Sequence, residues 1–178
     1  MTQIQKEILQ YLKASEIIKQ VALQTQNELE YHLSSLVSLA MQEVFGDDAY
    51  ELKINFVEKR NKTEIEILFK RGELEIDPIA CSGGGAIDVA CFALLLSLWV
   101  IKRPRTRNTI ILDEPLKWLK GNDLPSKGAE MIKSISEKLG VQIIMVSHSP
   151  ELIEASDKIF EVTKNDQISQ VNEISNRG

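Results

Sequence analysis

Four short stretches of this 178-residue chain bring together residue types that chemistry needs. Cys81-Ser82-Gly83-Gly84-Gly85 stands directly before an apolar run. Consecutive glycines let a backbone approach an anion closely, and a helix opening there adds free amides and a positive dipole end. A glycine-rich linker before a buried helix has the same composition. The second stretch, Thr109-Ile110-Ile111-Leu112, ends in Asp113-Glu114-Pro115. A buried strand ending so places two carboxylates at the carboxyl edge of a sheet, where open α/β folds bind ligands. One carboxylate there can hold Mg²⁺ through water, and the other can orient and deprotonate an attacking water. Acidic residues that merely close a strand are the alternative. The third stretch, Ile143 to Val146, ends in Ser147-His148. A histidine at that edge can hydrogen-bond a phosphate oxygen, or serve only as a structural donor. The fourth, Lys120-Gly121-Asn122-Asp123-Leu124-Pro125-Ser126, reads by itself as a loop ending in a helix cap.

The elements that must position these residues follow from periodicity. Met1 to Phe45 contains neither glycine nor proline, which predicts a long helix. Alternate steps of four and three from Ile4 pick out Ile8, Tyr11, Ser15, Ile18, Ala22, Thr25, Leu29, His32, Leu36 and Leu39. That is a 3.5-residue seam, interrupted by its polar members, on a helix too long to bury itself in a small domain. Two ordinary surface helices would also fit. After Gly46-Asp47-Asp48, Leu52-Ile54-Phe56 and Ile65-Ile67-Phe69 alternate with mostly polar residues, predicting a hairpin around Asn61-Lys62 with one wet face. A short strand near Glu73 to Ile76 follows. Beyond Pro78 strand and helix alternate: a helix from about Ala86 to Ile101, strand Thr109 to Leu112, and a helix from Ser126 to Leu139. Strand Val141 to Val146, a short helix after Ser149-Pro150 and a final strand pair complete the chain. Fully apolar strands alternating with helices predict an α/β fold with a mostly parallel sheet, flanked by helices and covered on both faces.

Composition narrows the function classes. The chain is 43% hydrophobic and 26% charged, as in an ordinary globular domain, and its net charge of −5 offers no basic excess for nucleic acid. Any DNA contact must be local. The run Lys102-Arg103-Pro104-Arg105-Thr106-Arg107 is the one candidate, and a solvated loop explains it as well. The longest apolar run, Val89 to Ile101, is shorter than the roughly 20 residues that span a bilayer. The start of the chain does not read as a signal peptide. Two cysteines, Cys81 and Cys91, are too few for a disulfide scaffold or a zinc site. A soluble, cytoplasmic protein without a membrane partner is expected, with Cys91 in a helix core and Trp99 and Trp118 as packing residues.

The order of these parts resembles the C-terminal lobe of an ABC-class ATPase head: a glycine-rich signature opening a helix, an apolar strand ending in Asp-Glu, a loop and helix, then an apolar strand ending in Ser-His. A long helix ahead of the signature resembles the SMC-like DNA-repair ATPases that work with a nuclease. The resemblance implies residues 1–45 as a coiled-coil root and 46–178 as the ATPase lobe. It implies that Ser82, Gly83, Gly84 and Gly85 form the signature, contacting the terminal phosphate of ATP held by an opposing head. Asp113 would be the Walker B metal residue for Mg²⁺, Glu114 the base for water, and His148 the switch histidine. Asn122, Asp123 and Leu124 would fall at the D-loop, with Trp118 to Gly121 inserted before them. Cys81 and Gly85 depart from the signature's usual leucine and its usual glutamine or glutamate.

No G-x-x-x-x-G-K-[ST] phosphate loop occurs anywhere in the chain. The resemblance implies as partners an N-terminal lobe carrying Walker A, a second head joined through ATP, a nuclease subunit and DNA. The chain is expected to be a fragment or a naturally separate half, inactive alone. Two other classes stay open on the residues: a hydrolase using Ser82, His148 and Asp113 as a triad, and a non-catalytic coiled-coil protein with a relic head. The first lacks a G-x-S-x-G elbow.

Overall fold

A computed structural model describes residues 3–60, 62–104, 106–121, 123–166 and 168–174. Helix α1, Gln3–Phe45, is a single helix of 43 residues, about 65 Å long at 1.5 Å per residue. Its two parts differ. Residues 3–25 are exposed all round, so this part stands clear of the rest of the chain. Farther on, Leu33, Val37, Ala40, Met41 and Val44 are buried and join the core. That stripe is shifted one residue from the seam expected from the sequence, and Leu36 and Leu39 stay exposed. Two faces of one helix are thus apolar: one packs on the lobe, and the other is uncovered.

Gly46–Asp48 turns the chain into β1 (Glu51–Lys59), β2 (Lys62–Arg71) and β3 (Leu74–Ile76), an antiparallel sheet in that order. Lys59 pairs with Lys62, so the hairpin turn is residues 60–61, one earlier than expected; Asn61 lies outside the described residues. Leu52, Ile54 and Phe69 enter the core. The other face carries the ion pairs Lys53–Glu75 (2.7 Å) and Lys59–Glu66 (2.6 Å). The Leu52 amide donates to Ser38 Oγ on α1 at 2.8 Å, fixing the root of the helix to the sheet.

The second half runs α2 (Pro78–Cys81), α3 (Gly84–Ile101), β4 (Thr109–Asp113), α4 (Leu124–Leu139), β5 (Gln142–Val146), α5 (Pro150–Ala155), β6 (Ile159–Asn165) and β7 (Ile168–Ile174). Helix α3 is apolar enough along its 18 residues to pass for a membrane span by length and composition. Its Val89, Ala90, Phe92, Ala93 and Leu96 instead lie in the core with the buried stripe of α1. Arg103 caps its C-terminus, donating to the carbonyls of Val100, Ile101 and Lys102. Cys91 is exposed on this helix rather than in its core, because the buried stripe turns the other way.

The α/β class holds, but the parallel part of the sheet is smaller than expected. Among the described residues only β4 and β5 pair in parallel, Thr109 opposite Gln142 through Asp113 opposite Val146, and β6–β7 is a separate antiparallel pair. Cover on both faces is not observed either. Ile110 is buried with Ala129, Met131 and Ile132 of α4 in the core, whereas Ile111 is 76% exposed and Ile144 and Val146 are open beside it. A strand apolar on both sides requires two covers, and this chain supplies one.

Candidate functional site at the carboxyl edge of the parallel strands

Asp77 begins the local structure by accepting from the Ile79 amide at 2.8 Å, with Pro78 opening the single turn α2. Ser82 closes that turn: its amide and its hydroxyl both donate to the Pro78 carbonyl. Gly83 then caps α3 in an extended conformation, and nothing lies within 4 Å of where its Cβ would be. The first amides of α3 have no intrahelical acceptor and sit at the positive end of the helix.

Gly84 and Gly85 are glycines for a different reason. A Cβ on Gly84 would stand 2.9 Å from Trp118 Cβ, and one on Gly85 would stand 3.1 Å from both Leu119 Cα and the Trp118 carbonyl oxygen. The departure at Gly85 from the usual signature residue is thereby explained: the chain after Pro115 passes too close for a side chain. Of the three glycines, Gly83 alone has no atom within 4 Å of the position a Cβ would take.

The acidic strand end is built by β4 and β5 together. Asp113 pairs with Val146, and the Glu114 amide continues the ladder by donating to the Val146 carbonyl at 2.9 Å. Glu114 then adopts a left-handed backbone (φ 48°), as does Leu116 (φ 58°), which turns the chain sharply off the strand. The Glu114 side chain is 28% exposed and its Oε1 lies 3.6 Å from His148 Nε2, on a ring 91% exposed. The two residues named from the sequence as base and switch are therefore adjacent. Asp113 is exposed and enters no ion pair among the described residues. A free carboxylate at a strand end fits Mg²⁺, which keeps most of its water and takes its other oxygens from phosphates. No cluster of three or more candidate metal-binding side chains occurs among the described residues.

Glu114 and Ser147 share a groove of about 190 Å³ with Ser149 and Glu151. The Ser149 hydroxyl donates to Glu151 Oε2 at 2.6 Å and thereby holds the Glu151 carboxyl below its ordinary range. The glycines line a second groove, of about 330 Å³, with Arg71, Trp118 and Lys120. Leu119 borders both grooves. Glu114 and Gly83 to Gly85 thus lie on opposite sides of one short loop rather than around one cavity. Ser82 is engaged with Pro78 and His148 with Glu114, which leaves no Ser82–His148–Asp113 triad.

Asp123 precedes α4 without a side-chain cap and lines neither groove, and Asn122 lies outside the described residues. The residues that do approach the glycines are Trp118, Leu119 and Lys120, part of the segment that the resemblance makes an insertion. Trp118 is 59% exposed, not a core residue, and the Lys120 ammonium lies 5.7 Å from its ring centre. The signal that marks this segment is its apolar residues, Leu116, Trp118 and Leu119, of which Leu119 is 4% exposed.

No family model matches the chain. It is 32% identical over 136 residues to the DNA double-strand break repair Rad50 ATPase of Methanocaldococcus jannaschii, a match covering 76% of this chain. Among solved structures, one from work on ATP-driven dimerization and DNA-stimulated activation of SMC ATPases superposes with a TM-score of 0.67. The two are 19% identical, and the match covers 89% of this chain and 90% of that one. In sequence and fold the chain matches the C-terminal lobe of an SMC/Rad50-like ABC ATPase head. The lobe also superposes, over 96% of its length and 31% of the other chain, on the Smc head domain with a coiled coil and joint from Pyrococcus yayanosii (TM-score 0.68, 18% identity). It spans 13% of the length of the Methanocaldococcus relative.

Proposed function

We propose that this lobe completes an ATP-hydrolysing head when joined by an N-terminal lobe carrying Walker A, and that two such heads close on ATP to act on DNA with a nuclease. The observation that carries the reading is the pairing of Glu114 with His148 at the carboxyl edge of β4 and β5. A half-buried carboxylate held beside an imidazole is equipped to take a proton from water, while the imidazole donates to a phosphate oxygen. Asp113, exposed at the strand end, would hold Mg²⁺, which neutralises charge on the phosphates. The open face formed by Ile111, Ile144 and Val146 suits the missing lobe, since an apolar sheet face of this kind calls for a cover.

The separation of the two grooves supports a site divided between heads. Glu114, with His148 beside it, is read as serving the nucleotide of its own head. Gly83 to Gly85, which line the other groove, and the neighbouring Ser82, once released from the Pro78 carbonyl, are read as meeting the terminal phosphate presented by the other head. Neither set is complete alone, so nucleotide holds the heads together and hydrolysis releases them. Asp123, with Asn122, is read as a flank of this interface, behind Trp118 to Lys120.

Residues 1–45 are read as the root of a coiled coil, because Ile4, Ile8, Tyr11 and Ile18 expose an apolar stripe on the projecting part of α1. DNA is the least supported partner on this chain. Arg103 is engaged in capping α3, which leaves Lys102 and Arg107 as the exposed cations of the basic loop among the described residues. A cytoplasmic location follows from the proposed role. The decisive experiment mixes the purified chain with a Walker A-bearing N-terminal lobe and follows phosphate release. Turnover that appears only on mixing is the expected result. A stable complex without turnover would make this lobe a structural relic.

A further inference from the structure

We propose that Asp88 is a positioning residue that locks the loop carrying Glu114 to the opening of α3, so that the signature glycines and the base move as one piece. The inference rests on the reading of Glu114 as the base. Asp88 Oδ2 accepts the Trp118 amide at 2.7 Å, a bond between residues 30 apart in sequence. One helical turn earlier on α3, Gly84 and Gly85 leave room for Trp118 and Leu119 at distances that no Cβ would allow without displacement. The loop is also held at its other end, where the Glu114 amide donates to the Val146 carbonyl. Between the two anchors it contains Glu114 and Leu116 with left-handed backbones, conformations that residues other than glycine keep only when their surroundings fix them. Leu119, between the anchors and α4, is buried and borders both grooves.

The consequence is directional. An anion drawn to the first amides of α3 pulls on the helix that bears Asp88, and the Asp88–Trp118 bond passes that pull into the loop. Loss of the bond leaves the glycines and Glu114 intact but coupled only through the packing of Trp118 and Leu119 against Gly84 and Gly85. Such a residue affects the rate of the committed step more than nucleotide affinity.

The test compares the parent chain with Asp88→Ala and Asp88→Asn, whose side-chain carbonyl still accepts. In the free chain, hydrogen exchange at the Trp118 amide is expected to accelerate about ten-fold in Asp88→Ala and little in Asp88→Asn. In the completed head, Asp88→Ala is expected to lower kcat about ten-fold with half-saturating ATP unchanged within about two-fold, and Asp88→Asn to restore most of the rate. Thermal unfolding of each variant separates these effects from a loss of fold. Unchanged exchange in Asp88→Ala, an equal loss in both variants, or a loss confined to half-saturating ATP would overturn the proposal. A parent head that binds its complementary lobe yet never turns over ATP would defeat the split-head reading instead. Exchange in the free chain would still decide whether Asp88 holds the loop.

Discussion

Leu119 packs into the space that a side chain on Gly128 would occupy: a Cβ there would lie 2.6 Å from Leu119 Cδ2. The contact ties the turn after Glu114 to the first half of α4, and it decides the sign of a substitution. Gly128→Ala gains up to about 1 kcal/mol of helix propensity. It must displace both Leu119 and Leu116, whose Cδ1 would be 2.8 Å away, and overpacking of that kind costs about 1–3 kcal/mol. A net loss of about 1 kcal/mol is expected on urea unfolding. Leu119→Ala, which empties the same site, is expected to cost about 2–4 kcal/mol.

Glu114→Gln keeps the size and left-handed backbone of the residue while removing its basicity. In a completed head it is expected to bind ATP, to retain head association and to lose turnover by about 100-fold or more. Phosphate release and light scattering in parallel check both halves of that statement. Normal turnover would remove Glu114 from the base role.

Cys91 is exposed, but the apolar side chains around it on α3 partly desolvate the thiol and, with the Asp88 carboxylate second, push it above its ordinary range. The thiolate is the reactive form, so Cys91 is expected to react with a disulfide reagent more slowly at pH 8 than an unhindered thiol. Its rate should still be rising above pH 9. Asp88→Asn removes the charged neighbour and is expected to shift the profile towards lower pH.

The Ser149 hydroxyl, first among the causes, lowers the folded-state pKa of Glu151. A depressed carboxyl pKa adds stability above the unfolded value, and that stability disappears as pH falls through the folded value. Ser149→Ala and Glu151→Gln are each expected to lower Tm at pH 6 and to converge on the parent below the carboxylate range. A Tm series from pH 3 to pH 7 checks it.

Ile111→Lys places a charge on the open face of β4 without touching the buried Ile110. Folding of the free chain is expected to survive, since the face is already wet, whereas association with the complementary lobe is expected to weaken by at least ten-fold. Sedimentation of the mixture gives the comparison. Unimpaired association would move the lobe interface elsewhere.

Much of the architecture was legible because it rests on local rules. The helix boundaries at Phe45 and Leu139 and the strand ends at Asp113 and Val146 follow from glycine, proline and apolar period. The adjacency of Glu114 and His148 followed from placing each at the end of an apolar strand, since parallel neighbours bring such ends together. What was not legible depends on spacing between segments distant in sequence. Gly84 and Gly85 read as an anion cradle, although Trp118 and Leu119 require them. The reach of the parallel sheet was overestimated because Ile111 and Val146 look buried in sequence, and no pattern says which chain buries them. The same limit applies to Cys91: an almost uniformly apolar helix does not announce which side faces the core.

The uniform exposure of residues 3–25 has a mechanical meaning. About 35 Å of stiff rod extends from a base that packs against α3, the helix that Gly84 and Gly85 open. A rotation of about 10° at that base would swing the free tip by about 6 Å. Small adjustments at the opening of α3 are thereby geared up into travel at the far tip of α1, with no hinge required along the way.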